Sequence, residues 1–284
     1  MLKMYEWGTH IRGGNQLFQV AGIIGLAEKY NTTFALPDHA HYDFFEHFNW
    51  RPDVDNSKEY DVQLNNPRWD YFPEYWEEHK EEIQTKVCNL PLNMFFQSQL
   101  NWSHCEQLVL DRLSFKKEYL NFIRDKYSES LNKKTIAVSI RLNDFVGHGC
   151  FFQIPKEWFM YTVRTKFDWE DYNIIVFSDD IEKCKTFISG DNIFFAEPNN
   201  THINRYDSTA YHSNPMEQMA YMSLCDNFVI SNSTFSWFGA YLGSNRKDNT
   251  EGKVYHTGKV FRGKCAEDYN SKDYYHPSWI KVEI

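Results

Sequence analysis

The second half of the chain alternates between apolar, β-branched runs and stretches of helical spacing. Short strands are predicted over 135–140, 172–177, 193–195 and 227–230, helices over 156–166, 180–188, 216–224 and 235–242, and a last short strand near 253–255. Unbroken apolar runs of this kind suit strands covered on both faces. Strands separated by helices predict a parallel sheet, with ligands at the carboxyl ends of its strands. The start of the chain opens the same way. Leu17, Val20, Ala21, Ile24 and Ala27 share one stripe of a helix over 16–30, and a strand follows over 34–37. Residues 38–115 have poor periodicity and are interrupted by Pro52, Pro67, Pro73 and Pro91, which predicts irregular structure with a few short helices. An amphipathic helix through Phe115, Leu120, Phe122, Ile123 and Tyr127 follows, and the polar joint at 131–134 places a domain boundary near residue 133. The expectation is an α/β protein of two domains, 1–133 and 134–284.

Composition narrows the partners. With 284 residues the chain has room for two cores. A formal net charge of −9 argues against a nucleic-acid backbone or an anionic membrane as partner. Aromatic residues make up 18% of the chain, enough to line a cleft with the flat apolar faces on which sugars stack. Six cysteines without a C-x-x-C pair suggest neither a zinc ribbon nor a dense disulfide framework, so a reducing compartment fits. The N-terminus does not read as a signal peptide, and no stretch approaches the roughly 18 apolar residues of a membrane span. A cytoplasmic protein is expected, either free or peripheral to a membrane.

Three predicted strand ends carry candidate chemistry. Arg141 ends the first strand of the second half, with Asp144 three residues on, and a planar guanidinium suits two oxygens of a diphosphate. A structural Arg141–Asp144 ion pair is the competing reading. Ser178, Asp179 and Asp180 end the next strand, where Ser178 or Asp180 could simply cap a helix. Ser231, Asn232, Ser233 and Thr234 join a strand to a helix and can present hydroxyls and backbone N–H groups to an anion. No Walker lysine motif or G-x-G-x-x-G is present, which disfavours ATP hydrolysis and dinucleotide redox chemistry.

Four segments in order resemble glycosyltransferase family 11, the α-1,2-fucosyltransferases. Residues 13–19 are similar to its G-x-G-N-Q-x-F-Q, Arg141 to Asp144 to its H-x-R-R-x-D box, and 177–181 to its F-S-D-D segment. Residues 222–225 and 231–242 are similar to its L-M-S-x-C and N-S-T-F-S-W-W-G-A-W-L block. The resemblance implies two facing Rossmann-like domains of the GT-B type, parallel sheets flanked by helices. It places an acceptor glycan on domain 1–133 and GDP-fucose as donor substrate on domain 134–284, with no metal or other cofactor. It implies that Arg141 holds the diphosphate, that Ser233 and Thr234 bind phosphates or ribose, and that Asn15 and Arg12 reach the reaction centre. Arg12, Ser178, Asp179 and Asn232 join the donor set, and Asp144 joins Arg141 and Asn15 as a catalytic candidate. The implied reaction is inverting, with oxocarbenium character on fucose and negative charge on the departing GDP, so Arg141 and the helix terminus would favour the bond-breaking state.

The chain departs from the pattern at three positions. The box's His is Ser139, its second Arg is Leu142, and the acid with which related enzymes read guanine is Gln218, beside Glu217. Another nucleotide sugar, or an inactive carbohydrate-binding relative, stays open. The general base is open among Asp144, His148 and an acceptor activated without a strong base. A metal-dependent alternative would use Asp53 and Asp55 as a D-x-D clamp, helped by His39, His41 and His47.

Overall fold

The computed structural model describes residues 1–6, 13–37, 44–45, 53–54, 57–66, 68, 70–91, 94–197 and 215–284. They form two units, residues 1–114 with 272–276 and residues 115–271 with 277–284.

The first unit runs β1 (Leu2–Lys3), α1 (Gly13–Tyr30), β2 (Phe34–Leu36), β3 (Asp53–Val54), β4 (Val62–Gln63), α2 (Pro73–Glu78), α3 (Lys80–Thr85), β5 (Cys88–Asn89) and α4 (Glu106–Leu113). Its sheet has the order β3-β2-β1-β5-β4, with every pair parallel. The stretch that reads as irregular therefore supplies β3, β4 and β5. Two-residue strands leave no periodicity, and β1 contains a buried lysine whose ammonium donates to Ser57 Oγ at 2.6 Å and to the Glu59 carbonyl at 3.1 Å. Helix α1 starts at Gly13 and is buried on nearly every face rather than along one stripe. At Gly25 the backbone of Asn101 passes so close that a Cβ would lie 2.1 Å from its carbonyl oxygen. Residues 272–276 return to this unit: Tyr274 is buried with its ring stacked on Phe18 at 6.4 Å, and His276 Nε2 lies 3.3 Å from Glu106 Oε1.

The second unit continues with α5 (Lys117–Lys126), β6 (Thr135–Ile140), α6 (Lys156–Lys166), β7 (Asn173–Ser178), α7 (Ile181–Lys185), β8 (Ile193–Phe195), α8 (Pro215–Ser223), β9 (Asn227–Ile230), α9 (Thr234–Ser244), β10 (Val254–His256), α10 (Lys264–Asp268) and β11 (Ile280–Lys281). The sheet order is β11-β10-β9-β6-β7-β8, again parallel throughout. Its core gathers Ile136, Val138, Ile174, Val176 and Val229 with Trp158 and Phe159 of α6. Helix α5 packs here, so the division falls between Ser114 and Phe115 and not near residue 133. The anchor is α8: Lys126 pairs with buried Glu217, and Tyr127 stacks on Tyr221 with centroids 3.9 Å apart. Ile123 is buried, whereas Phe122, read on the same apolar stripe, is exposed beneath the Lys126 ammonium. Helices α8 and α9 meet at Gly239, where a Cβ would come within 2.5 Å of Met222 Sδ. Among the described residues no helix is long and apolar enough to cross a membrane.

Candidate nucleotide-sugar site

Sheet order and register bring three predicted loops to one rim of the second unit. Strands β6, β7 and β8 build outward in one direction and β9, β10 and β11 in the other, so chain order reverses between β6 and β9. That reversal is where parallel α/β sheets open a crevice for ligands. Ser139 of β6 sits opposite Ile230 of β9, and Ile140 opposite Ser178 of β7. Arg141, Asp179 and the 231–234 turn therefore leave the sheet side by side.

Arg141 is held by two carboxylates. Its Nε donates to Asp144 Oδ1 at 2.7 Å and its Nη2 to Asp144 Oδ2 at 2.8 Å, the ion pair that the sequence spacing allows. Asp179 Oδ2 lies 3.2 Å from the same Nε. Asp179 is also tied to the backbone of the arginine loop: its carboxylate accepts from Leu142 N at 2.8 Å and Asn143 N at 3.1 Å, while Asn143 Nδ2 donates to the Asp179 carbonyl at 2.7 Å. Ser178 and Asp180 act locally, as the capping reading anticipates. Ser178 Oγ accepts from Asp180 N, and Asp180 caps α7 by accepting from Lys183 N at 3.0 Å.

The turn on the other side of the crevice is fixed by hydroxyls. Ser236 Oγ lies 2.6 Å from Ser139 Oγ and 2.9 Å from Ser231 Oγ, all three residues buried, and Ser231 N donates to the Ser139 carbonyl. Ser139, standing where the family box has His, thus joins β6 to the first turn of α9. Ser233 occupies the N-cap position without a side-chain cap bond, and the helical ladder begins with Trp237 N donating to the Ser233 carbonyl. The N–H groups of Thr234, Phe235 and Ser236 precede that first bond, so they carry the positive end of the helix dipole.

Asn232 points away from the turn: its Nδ2 donates to the carbonyls of Phe152 and Val260, joining the loops after β6 and β10. Cys150 on the first of these loops and Cys265 in α10, which follows the second, form a disulfide across 115 residues of sequence, a pairing that spacing alone does not reveal. It contrasts with the reducing compartment that cysteine usage suggests. His148 is exposed, and its Nδ1 accepts from Cys150 N at 3.1 Å. At the end of β10, burial pushes His256 down to about 4, although a hydrogen bond to the Trp279 backbone opposes the shift, and its Nδ1 accepts from Gly258 N at 3.0 Å.

Asn15 lies in the first unit on α1, where its Oδ1 accepts from Gln97 Nε2 at 2.9 Å. Arg12, Asp55, His39, His41 and His47 lie outside the described residues, and Asp53 is described only as backbone of β3. Sequence reasoning missed Asn143 and the support that Asp179 gives to the arginine loop. The only sequence signal was an Asp immediately after a strand, which is also an ordinary capping pattern.

Two parallel α/β sheet units, the second with its crevice at the strand-order reversal, define the GT-B class of glycosyltransferase fold, and solved structures of that class match most of the chain. A fucosyltransferase NodZ from Bradyrhizobium matches with TM-score 0.52 at 13% identity, covering 85% of this chain and 92% of that one. POFUT1 in complex with GDP-fucose matches with TM-score 0.55 at 14% identity, covering 90% and 97%. A variant of Arabidopsis thaliana FUT1 in complex with GDP matches with TM-score 0.52 at 12% identity, covering 90% and 70%. Residues 3–283 fit the family model Glycosyl transferase family 11, and the chain belongs to that family. A curated relative, the O-antigen biosynthesis glycosyltransferase WbnK of Escherichia coli, is 28% identical over an aligned length of 182 residues, and the match covers 61% of this chain and 56% of the relative's own length.

Proposed function

We propose that this glycosyltransferase moves L-fucose from GDP-fucose to a hydroxyl of an acceptor glycan, the 2-OH by family resemblance, with inversion and without a metal. The observation that carries the reading is the meeting of Arg141 and the 231–234 turn on either side of one strand-order reversal. Structures of the same fold bind this donor class, GDP-fucose in POFUT1 and GDP in the Arabidopsis protein. In the proposal Arg141 takes the diphosphate, Ser233, Thr234 and the N–H groups of the first turn of α9 take its remaining oxygens, and both stabilise charge that grows as GDP departs. Asn15 and Arg12 reach the reaction centre, Arg12 also serving the donor, and Asp144 is a candidate to receive the acceptor's proton.

A second reading, a donor with another base, is favoured by one residue. Gln218 stands where the family places an acid, and its Nε2 donates to the Glu197 carbonyl at 3.2 Å. Calorimetric titration of GDP, UDP, ADP and CMP decides between them. GDP is expected to bind tightest; tighter binding of another nucleotide supports the second reading, and binding of none overturns both. Product linkage is then read by NMR after incubation with the matching donor sugar and an acceptor glycan.

A further inference from the structure

The two carboxylates on Arg141 differ in a way that assigns them different tasks. Asp179 is nearly buried, with its side chain 8% exposed, and its carboxylate is shared among Arg141 Nε and the backbone N–H groups of Leu142 and Asn143. Those bonds bridge the ends of β6 and β7. Rotating Asp179 away would leave two backbone donors of the arginine loop without their acceptor. Asp144 is 48% exposed, sits in the turn after the arginine, and takes both the Nε and Nη2 prongs in a two-pronged contact. An exposed ion pair of this kind is weak, because water and salt screen it and two side chains must be held in one geometry. A carboxylate also occupies a guanidinium edge in the same manner as a phosphate.

We infer that Asp179 is the positioning residue that fixes Arg141 at the rim, and that Asp144 is an exchangeable counter-ion which the donor diphosphate displaces from the guanidinium. The inference rests on the reading of this rim as a nucleoside diphosphate site. Donor binding then does two things in one step. It replaces one anion by another on Arg141, and it frees the Asp144 carboxylate to turn toward the reacting sugar. Asp179 stays in place throughout, since its partners include backbone that the exchange does not move.

The two aspartates therefore predict opposite responses to neutralisation. Asp144→Asn removes the competing anion, and calorimetry with GDP and with inorganic pyrophosphate should show affinity raised about two- to fivefold, the range an exposed pair supports. Asp179→Asn should lower both affinities about tenfold, while the urea midpoint of Asp144→Asn stays at the wild-type value. If Asp179→Asn does not fold, Asn143→Ala tests the same support by removing only the bond to the Asp179 carbonyl, and GDP affinity should fall at an unchanged urea midpoint. Loss of GDP affinity in Asp144→Asn, or unchanged affinity in a folded Asp179 or Asn143 variant, overturns the inference while the nucleotide site stands. A wild-type protein that binds none of the nucleotides overturns the site and the inference together.

Discussion

Replacing His256 by asparagine tests how strongly one buried neutral imidazole governs the acid stability of the second unit. In the unfolded chain the ring titrates near its ordinary 6.5, whereas in the folded protein desolvation brings it to about 4. Between those values the unfolded chain takes up a proton that the folded protein refuses, so the folded state is favoured less as pH falls. The contribution is whole above about pH 6.5, declines by up to ~1.4 kcal/mol per pH unit below it, and by pH 4 or lower has cost roughly 3 kcal/mol. His256→Asn retains an acceptor for the Gly258 N–H through its Oδ1 and cannot take up the proton. Urea unfolding at about pH 7.5 and about pH 4.5 should show the variant losing about 2.5 kcal/mol less than wild type over that interval, whatever the offset between them at neutral pH. Parallel losses in the two proteins would refute the reasoning.

Three further outcomes are expected. Arg141→Lys should bind GDP about tenfold more weakly than wild type, close to Arg141→Ala, because an ammonium cannot reproduce the two-pronged edge; near-normal calorimetric affinity in the lysine variant would remove Arg141 from the diphosphate site. Gly239→Ala should destabilise the protein by about 1–3 kcal/mol through the clash with Met222 and lower its melting temperature, and pairing it with Met222→Ala should recover part of that loss. Transfer activity, once an acceptor is found, should survive EDTA; complete loss restored by Mg or Mn would favour a metal clamp over the guanidinium.

How much could be read in advance differs between the two units for a physical reason. Strands β6, β7 and β9 are covered on both faces and must be apolar along their length, so their sequences announce them. Strands β1, β4 and β5 are two residues long and include Lys3 and Asn89, whose burial is made tolerable by distant partners: Ser57 and Glu59 for the lysine, Gln63 for the asparagine. No local pattern encodes such partners. The same distinction holds at the site. Arg141, Asp179 and Ser231 to Thr234 stand out as candidates because they follow legible strands. That Asp179 braces a backbone 36 residues away, that Asn232 faces the neighbouring loops, and that Cys150 meets Cys265 are facts of tertiary structure.

The placement of Tyr274 against Phe18 has a consequence for biogenesis. The amino-terminal sheet unit obtains one of its buried aromatic rings, and the His276 partner of Glu106, only from a stretch synthesised after the other unit's β10 has been made. As the chain leaves the ribosome, the earliest residues must wait with an apolar face uncovered, while the later unit gathers all but its last strand. A truncation before Lys272 would take Tyr274 and His276 from the first unit and β11 from the second, so both units depend on the same stretch of chain.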